Sequence, residues 1–219
     1  MNKHLLRILS LSMVLAASSS VQAQQYMFTY SKLYSQLKNN LKSGHDDVKV
    51  GFFFVDSRTE QLCTISKAWM EKEQHYEELK VSPINELVVP LDQNLRQANP
   101  LIFVETPRAQ QCNFSMVVMA KQNLSGTVSY QTLAQLVSQM QTTLNDLGGM
   151  FARWFTPEIQ GVTLEFDADT ANDIQLSNGK KIRVTHGQAQ VTLSEIGEGG
   201  SIKLPQTTKR VLPYLLNTN

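Results

Sequence analysis

Apolar residues recur along this chain at two spacings, and the change from one to the other separates helices from strands. In "TYSKLYSQLKNNLKSGH" (29–45), Leu33, Leu37 and Leu41 repeat every four residues, and Tyr30 and Tyr34 extend the stripe. That period predicts one apolar helical face turned to a core. Thr29 or Ser31 can cap the start and Gly44 the end. "DVKVGFFFV" (47–55) alternates instead, with Val48, Val50, Phe52 and Phe54 on one face and Phe53 and Val55 on the other. It reads as a strand buried on both sides. "SYQTLAQLVSQMQTTLNDLGG" (129–149) is the clearest helix, its stripe running through Tyr130, Leu133, Val137, Met140, Leu144 and Leu147 to a stop at Gly148–Gly149. Its other face is glutamine, serine and threonine, without charge until Asp146. Such a face does not attach to anionic lipid, so the helix is predicted to pack on a sheet.

Polar stretches and prolines punctuate the rest. "EKEQHYEELK" (71–80) is the most charged stretch; its mixed signs read as a solvated turn or short helix rather than a metal or acid–base site. "INELVVPLDQNLRQANPLIFV" (84–104) reads as strand, loop marked by Pro90 and Pro100, and strand. The composition changes at 122–129, a candidate internal boundary. After 160 the pattern is of strands, "VTLEF", "DIQLSNGKKIRV" and "AQVTLSEI", then "EGGSIKLP" and "RVLPYLL". Asn178–Gly179 is a type I′ hairpin signal. The expected fold is α+β: mostly antiparallel β, sandwich-like, with two amphipathic helices, one near the start of the exported chain and one in its middle.

A repeat lies around the cysteines. Residues 52–72, "FFFVDSRTEQLCTISKAWMEK", align without a gap on 101–121, "LIFVETPRAQQCNFSMVVMAK", with seven of 21 columns identical. Cys63 falls on Cys112. Each copy runs from an apolar segment through a polar turn to a half-apolar segment, which predicts a β-hairpin. Either two ordinary hairpins happen to match, or a β unit is duplicated; the second reading is preferred.

Composition adds the compartment. Lys3 and Arg7 precede the apolar "ILSLSMVLAA" (8–17), and "SSSVQA" places small residues where a signal peptidase reads. Residues 1–23 are therefore expected to be a cleaved signal peptide, and 24–219 the mature periplasmic domain, with no transmembrane anchor after cleavage and secretion beyond the outer membrane left open. In an oxidising compartment, Cys63 and Cys112 are expected to form a disulfide. Removing Lys3 and Arg7 leaves 18 basic against 19 acidic residues, scattered rather than clustered. Nucleic-acid binding would need a basic stripe and is not expected.

Candidate chemistry is sparse. Asp167, Asp169 and Asp173 begin like a calcium loop, but Asn172 and Asn178 stand where glycine and a bidentate glutamate belong. They are weak metal candidates only; no metal or other cofactor is expected. His45, His75 and His186 lie in no nucleophile or metal motif, so no catalytic residue is assigned. "MFARWF" (150–155) is either a core plug or an exposed partner site, which makes Phe151, Trp154 and Phe155 the candidate partner or ligand surface. The expected function is a non-enzymatic envelope interaction or binding module for an unknown envelope protein or small ligand. The alternatives are a hydrolase of a cell-envelope polymer or carbohydrate, and sugar or peptide binding with Trp69 or Trp154 as stacking platform.

"YMFTYSKLYSQLKNN", "HDDVKVGFFFVD" and "WMEKEQHYEELK", together with the signal peptide, resemble a family of exported gammaproteobacterial proteins known as a domain of unknown function. The resemblance runs over most of the mature chain. It implies a periplasmic bacterial protein and carries over no catalytic residues.

Overall fold

Alternation in Gln24–Thr29 builds a first strand, with Tyr26 and Phe28 packed on the core and Met27 exposed. The structure, a computed structural model, describes residues 23–148, 157–170 and 172–215. In chain order the elements of the first half are β1 (Gln24–Thr29), α1 (Tyr30–Leu37), β2 (Val48–Asp56), β3 (Lys67–Lys72), β4 (His75–Glu78), β5 (Lys80–Val81), β6 (Leu87–Val88), α2 (Gln93–Ala98), β7 (Leu101–Thr106) and β8 (Cys112–Ala120). Then follow β9 (Thr127–Ser129), α3 (Tyr130–Gly148), β10 (Ile159–Glu165), β11 (Ile174–Leu176), β12 (Lys181–Ile182), β13 (Gln188–Thr192), α4 (Leu193–Ile196), β14 (Ser201–Lys203) and β15 (Arg210–Leu215). The fold is α+β, with antiparallel sheets predominating, as the pattern predicts. No described helix is long and apolar enough to cross a membrane.

Two cores divide the molecule. One lies between the sheet β1-β7-β3-β4 and the sheet β5-β6-β2-β8, a sandwich closed by α1. Phe52, Phe53 and Phe54 are all fully buried, each side chain contributing roughly 1.5–3 kcal/mol of burial. The other core packs α3 on the sheets β13-β10-β15 and β12-β11-β14-β9. Strand β2 spans both, with Val48 in the second core and Val50, Phe52 and Phe54 in the first. The polar face of α3 pins the entry to β2: Gln139 accepts the Asp47 N–H at 2.7 Å, and Gln135 and Gln139 donate to its carboxylate.

The two copies of the repeat do not form hairpins. Strand β2 pairs with β8, and β7 with β3, so each copy's first strand pairs with the other copy's second strand, in a different sheet. Phe54 stands opposite Phe114. An equivalent register would set Phe103 against Ile65; it lies against Trp69 instead, four residues on. The faces differ as well, since Phe54 is packed in the core and the matching Phe103 lies on the side of its sheet away from it. The disulfide joins the matched cysteines, Cys63 and Cys112, across this exchange, with Cα atoms 6.2 Å apart.

Several elements depart from the pattern. The first helix ends at Leu37 and tightens into a 3-10 turn over Lys38–Leu41. There Asn40 donates to the Val50 carbonyl and accepts its N–H, and the tighter winding turns Leu41 out, 74% exposed. Residues 71–80 form much of the hairpin β3–β4, with Lys72 opposite His75 and Glu73 at φ +56° in the turn. The proline-marked loop contains α2, because the Asp92 carboxylate accepts the N–H groups of Asn94 and Leu95. Pro90 and Pro100 bound this helix rather than prevent it. At the Asn178–Gly179 hairpin only Gly179 has positive φ, so the turn is not type I′. "LSEI" is helical, started by a capping box between Thr192 and Glu195.

Candidate functional site

The sheet β1-β7-β3-β4 buries one face and leaves the other to solvent. Tyr26, Phe28, Ile102, Val104, Ala68 and Met70 point into the core. By alternation their neighbours point out: Met27 opposite Phe103, and Phe103 opposite Trp69. The Phe103 and Trp69 rings stack with centroids 5.2 Å apart, and Tyr76 on β4 lies 6.4 Å beyond Trp69. The result is an outward apolar row across all four strands. Met27 is 62% exposed and Tyr76 53%, while Trp69 keeps only 9%. Both faces of the indole are occupied, by Phe103 on one side and by Tyr76 and the Lys67 ammonium, 4.9 Å from the ring, on the other. Its Nε1 donates to Glu71. Trp69 therefore has no free face on which a sugar could stack.

Tyr76 also lines a groove of about 520 Å³ between the hairpin β3–β4 and α2. Met70, Leu95, Ala98 and Pro100 make its apolar wall, and Glu71, Glu73, His75 and Glu77 its polar margin. Lys72 donates to the Ala98 carbonyl at 2.6 Å, tying the hairpin to the end of α2. That end is fixed in turn: Asn99 adopts φ +49° and accepts the Ser31 N–H. Tyr30 anchors the other end of α2, donating to the Pro90 carbonyl and accepting the Asp92 N–H. Burial pushes the Tyr30 phenol above its ordinary 10.0.

A second groove, of about 490 Å³, runs where β15 lies beside β8. Gln188, Glu165 and Arg210 stand in one cross-strand row. Gln188 donates to Glu165 Oε1 at 3.1 Å, Arg210 Nε donates to Oε2 at 2.5 Å, and the guanidinium lies over Phe53. His186 lines the same groove. Both oxygens of Glu165 are thus engaged, and no described hydrogen bond joins His75 or His186 to a carboxylate. His45 does meet one, with Nε2 3.3 Å from Asp146 and Nδ1 donating to the Asn39 carbonyl, but its side chain has no exposed surface.

The weak metal candidates do not converge. Asp167 pairs with the Lys209 ammonium, and among the described residues no three His, Cys, Asp or Glu side chains could hold one ion. Phe151, Trp154 and Phe155 lie outside the described residues, as do residues 1–22 of the expected signal peptide. Met27, Phe103 and Tyr76 were not singled out by sequence reasoning. A signal was present: "LIFV" is apolar on both faces, whereas a half-buried strand alternates.

No match was found among curated proteins or solved structures. Residues 22–166, which contain the whole sheet face and the groove beside α2, match the family described as protein of unknown function (DUF2987), and the chain belongs to that family.

Proposed function

We propose that this is an exported periplasmic protein of the bacterial envelope that acts as an interaction or binding module, without catalysis of its own. The observation carrying this reading is the row Met27–Phe103–Trp69–Tyr76 on a sheet whose other face is already covered by core. Met27 and Tyr76 stand exposed at either end of the covered Phe103–Trp69 stack, and exposed apolar side chains gathered on one face are characteristic of interaction sites. The closed indole faces favour a protein partner over a stacked sugar. A hydrolytic reading has less support, since Glu165, which lines the same groove as His186, is already held by Gln188 and Arg210.

Photo-reactive residues placed at Met27 and Tyr76, with Leu41 as an exposed apolar control away from the row, test this in the exporting bacterium. Adducts from positions 27 and 76 but not 41 support a partner-binding face. No adducts at either position overturn it. Mass spectrometry of the purified protein's N-terminus tests export, with Gln24 as the expected first residue.

A further inference from the structure

We propose that two copies of this chain associate through the free edge of β4, joining their four-stranded β1-β7-β3-β4 sheets into one antiparallel sheet centred on Tyr76. This goes beyond the interaction module proposed above and stands without it.

Strand β4 is the outermost of its sheet, its other edge pairs with no described strand, and all four of its residues are exposed. Register fixes which backbone groups that edge offers. The Leu79 N–H donates to the Ala68 carbonyl, and this pair continues the register in which Trp69 faces Glu78. Hydrogen-bonded pairs alternate with unbonded ones in an antiparallel ladder, so His75 and Glu77 turn their N–H and C=O groups to β3. Those of Tyr76 and Glu78 point to the open edge. Such an edge is a template for a further strand.

The side chains select a second copy and a single register. Pairing about a two-fold axis through Tyr76 sets that residue against its own counterpart, hydrogen-bonded in both directions. It also places His75 opposite Glu77 of the second copy, and Gln74 opposite Glu78, each twice by symmetry. No acid then faces an acid. A ring N–H of His75 can donate to the carboxylate in either protonation state, and Lys72, opposite His75 on β3, adds a cation on the same side. Moving the register by two residues either way would oppose Glu77 to Glu77 or to Glu73, and like charges directly opposite are destabilising. The outward row gains as well: Met27–Phe103–Trp69–Tyr76 meets the same row in reverse order, which covers a Tyr76 that is 53% exposed in the single chain. The opposite edge, β1, carries no charged residue and so nothing that selects a register in this way. A four-residue strand makes a small interface, and the association is accordingly weak and reversible.

The purified chain should show a sedimentation coefficient that rises with its concentration. Under mild oxidation Tyr76→Cys should cross-link two copies, because hydrogen-bonded antiparallel neighbours lie about 5.5 Å apart, within disulfide reach. Met27→Cys, also exposed but at the far edge of the sheet, should not. His75→Glu should weaken the dimer about tenfold, and H75E/E77K should recover it by setting opposite charges face to face again. If a charge variant does not fold, the Y76C cross-link, which leaves every charge in place, decides. A chain that stays monomeric up to about 1 mM, cross-linking from position 27 instead of 76, or no recovery in folded H75E/E77K would overturn the proposal. Photo-adducts to a different protein from a chain that stays monomeric would remove the dimer and leave the interaction module standing. A dimer whose only adducts are to itself would do the reverse.

Discussion

Trp69 and Phe103 face each other across β3 and β7, ring centroids 5.2 Å apart and planes 13° from parallel, on the solvent side of the sheet. The pair holds the row of exposed side chains in place. Trp69→Ala should cost about 3 kcal/mol, because a nearly covered indole is removed. A double-mutant cycle with Phe103→Ala, read by urea unfolding, should show a coupling of about 0.5–1.5 kcal/mol. A coupling near zero would mean that the stack is incidental to the fold.

The disulfide should contribute strongly, since Cys63 and Cys112 are 49 residues apart in sequence. Chain entropy for such a loop corresponds to about 4 kcal/mol. Cys63→Ala combined with Cys112→Ala should lower the unfolding midpoint accordingly. Both cysteines are buried, so a reductant alone should act slowly and accelerate in denaturant. Equal reduction rates with and without denaturant would contradict this.

Asp56 should give acid sensitivity. The Arg58 N–H, with those of Thr59 and Gln111, donates to its carboxylate and holds it below the ordinary 3.8, against an opposing push from burial. A depressed native pKa adds stability that is fully present above the unfolded value and is lost as pH falls through the native one. Thermal melts of Asp56→Asn should therefore fall below the native protein near neutrality, with the gap narrowing as pH falls below 3.8 and through the depressed native value. A gap independent of pH would assign the loss to packing instead.

Gly161 allows close approach of β10 and β13. A Cβ there would lie 2.0 Å from the Val191 carbonyl oxygen, a backbone atom that cannot swing away. Gly161→Ala should cost at the upper end of about 1–3 kcal/mol. Amide exchange should rise first in β10 and β13. If the protection of those strands is unchanged, the strand spacing is looser than the contact implies.

Local patterns were legible where one residue's neighbours in sequence decide the outcome. The period of α3, the two-sided burial of β2 and a turn at Asn178–Gly179, though not its type, follow from spacing and from glycine's freedom. The misread segments depended on partners elsewhere. Residues 71–80 are strands because β7 supplies a ladder for β3, and Leu41 left its stripe because Asn40 bonds β2. The helix α2 could have been read from Asp92, and α4 from Thr192 and Glu195, since caps are local signals.

By itself the sequence determined the α+β character, the apolar faces and the matching of Cys63 with Cys112, because each needs only periodicity, composition or alignment. Only the tertiary structure decided that the repeat exchanges strands between two sheets. Pairing depends on which edges meet, and a segment's own residues suit a hairpin and an exchanged ladder equally well. The candidate site has the same origin. Met27, Phe103, Trp69 and Tyr76 come from four strands, and their row exists only once register sets β1, β7, β3 and β4 side by side.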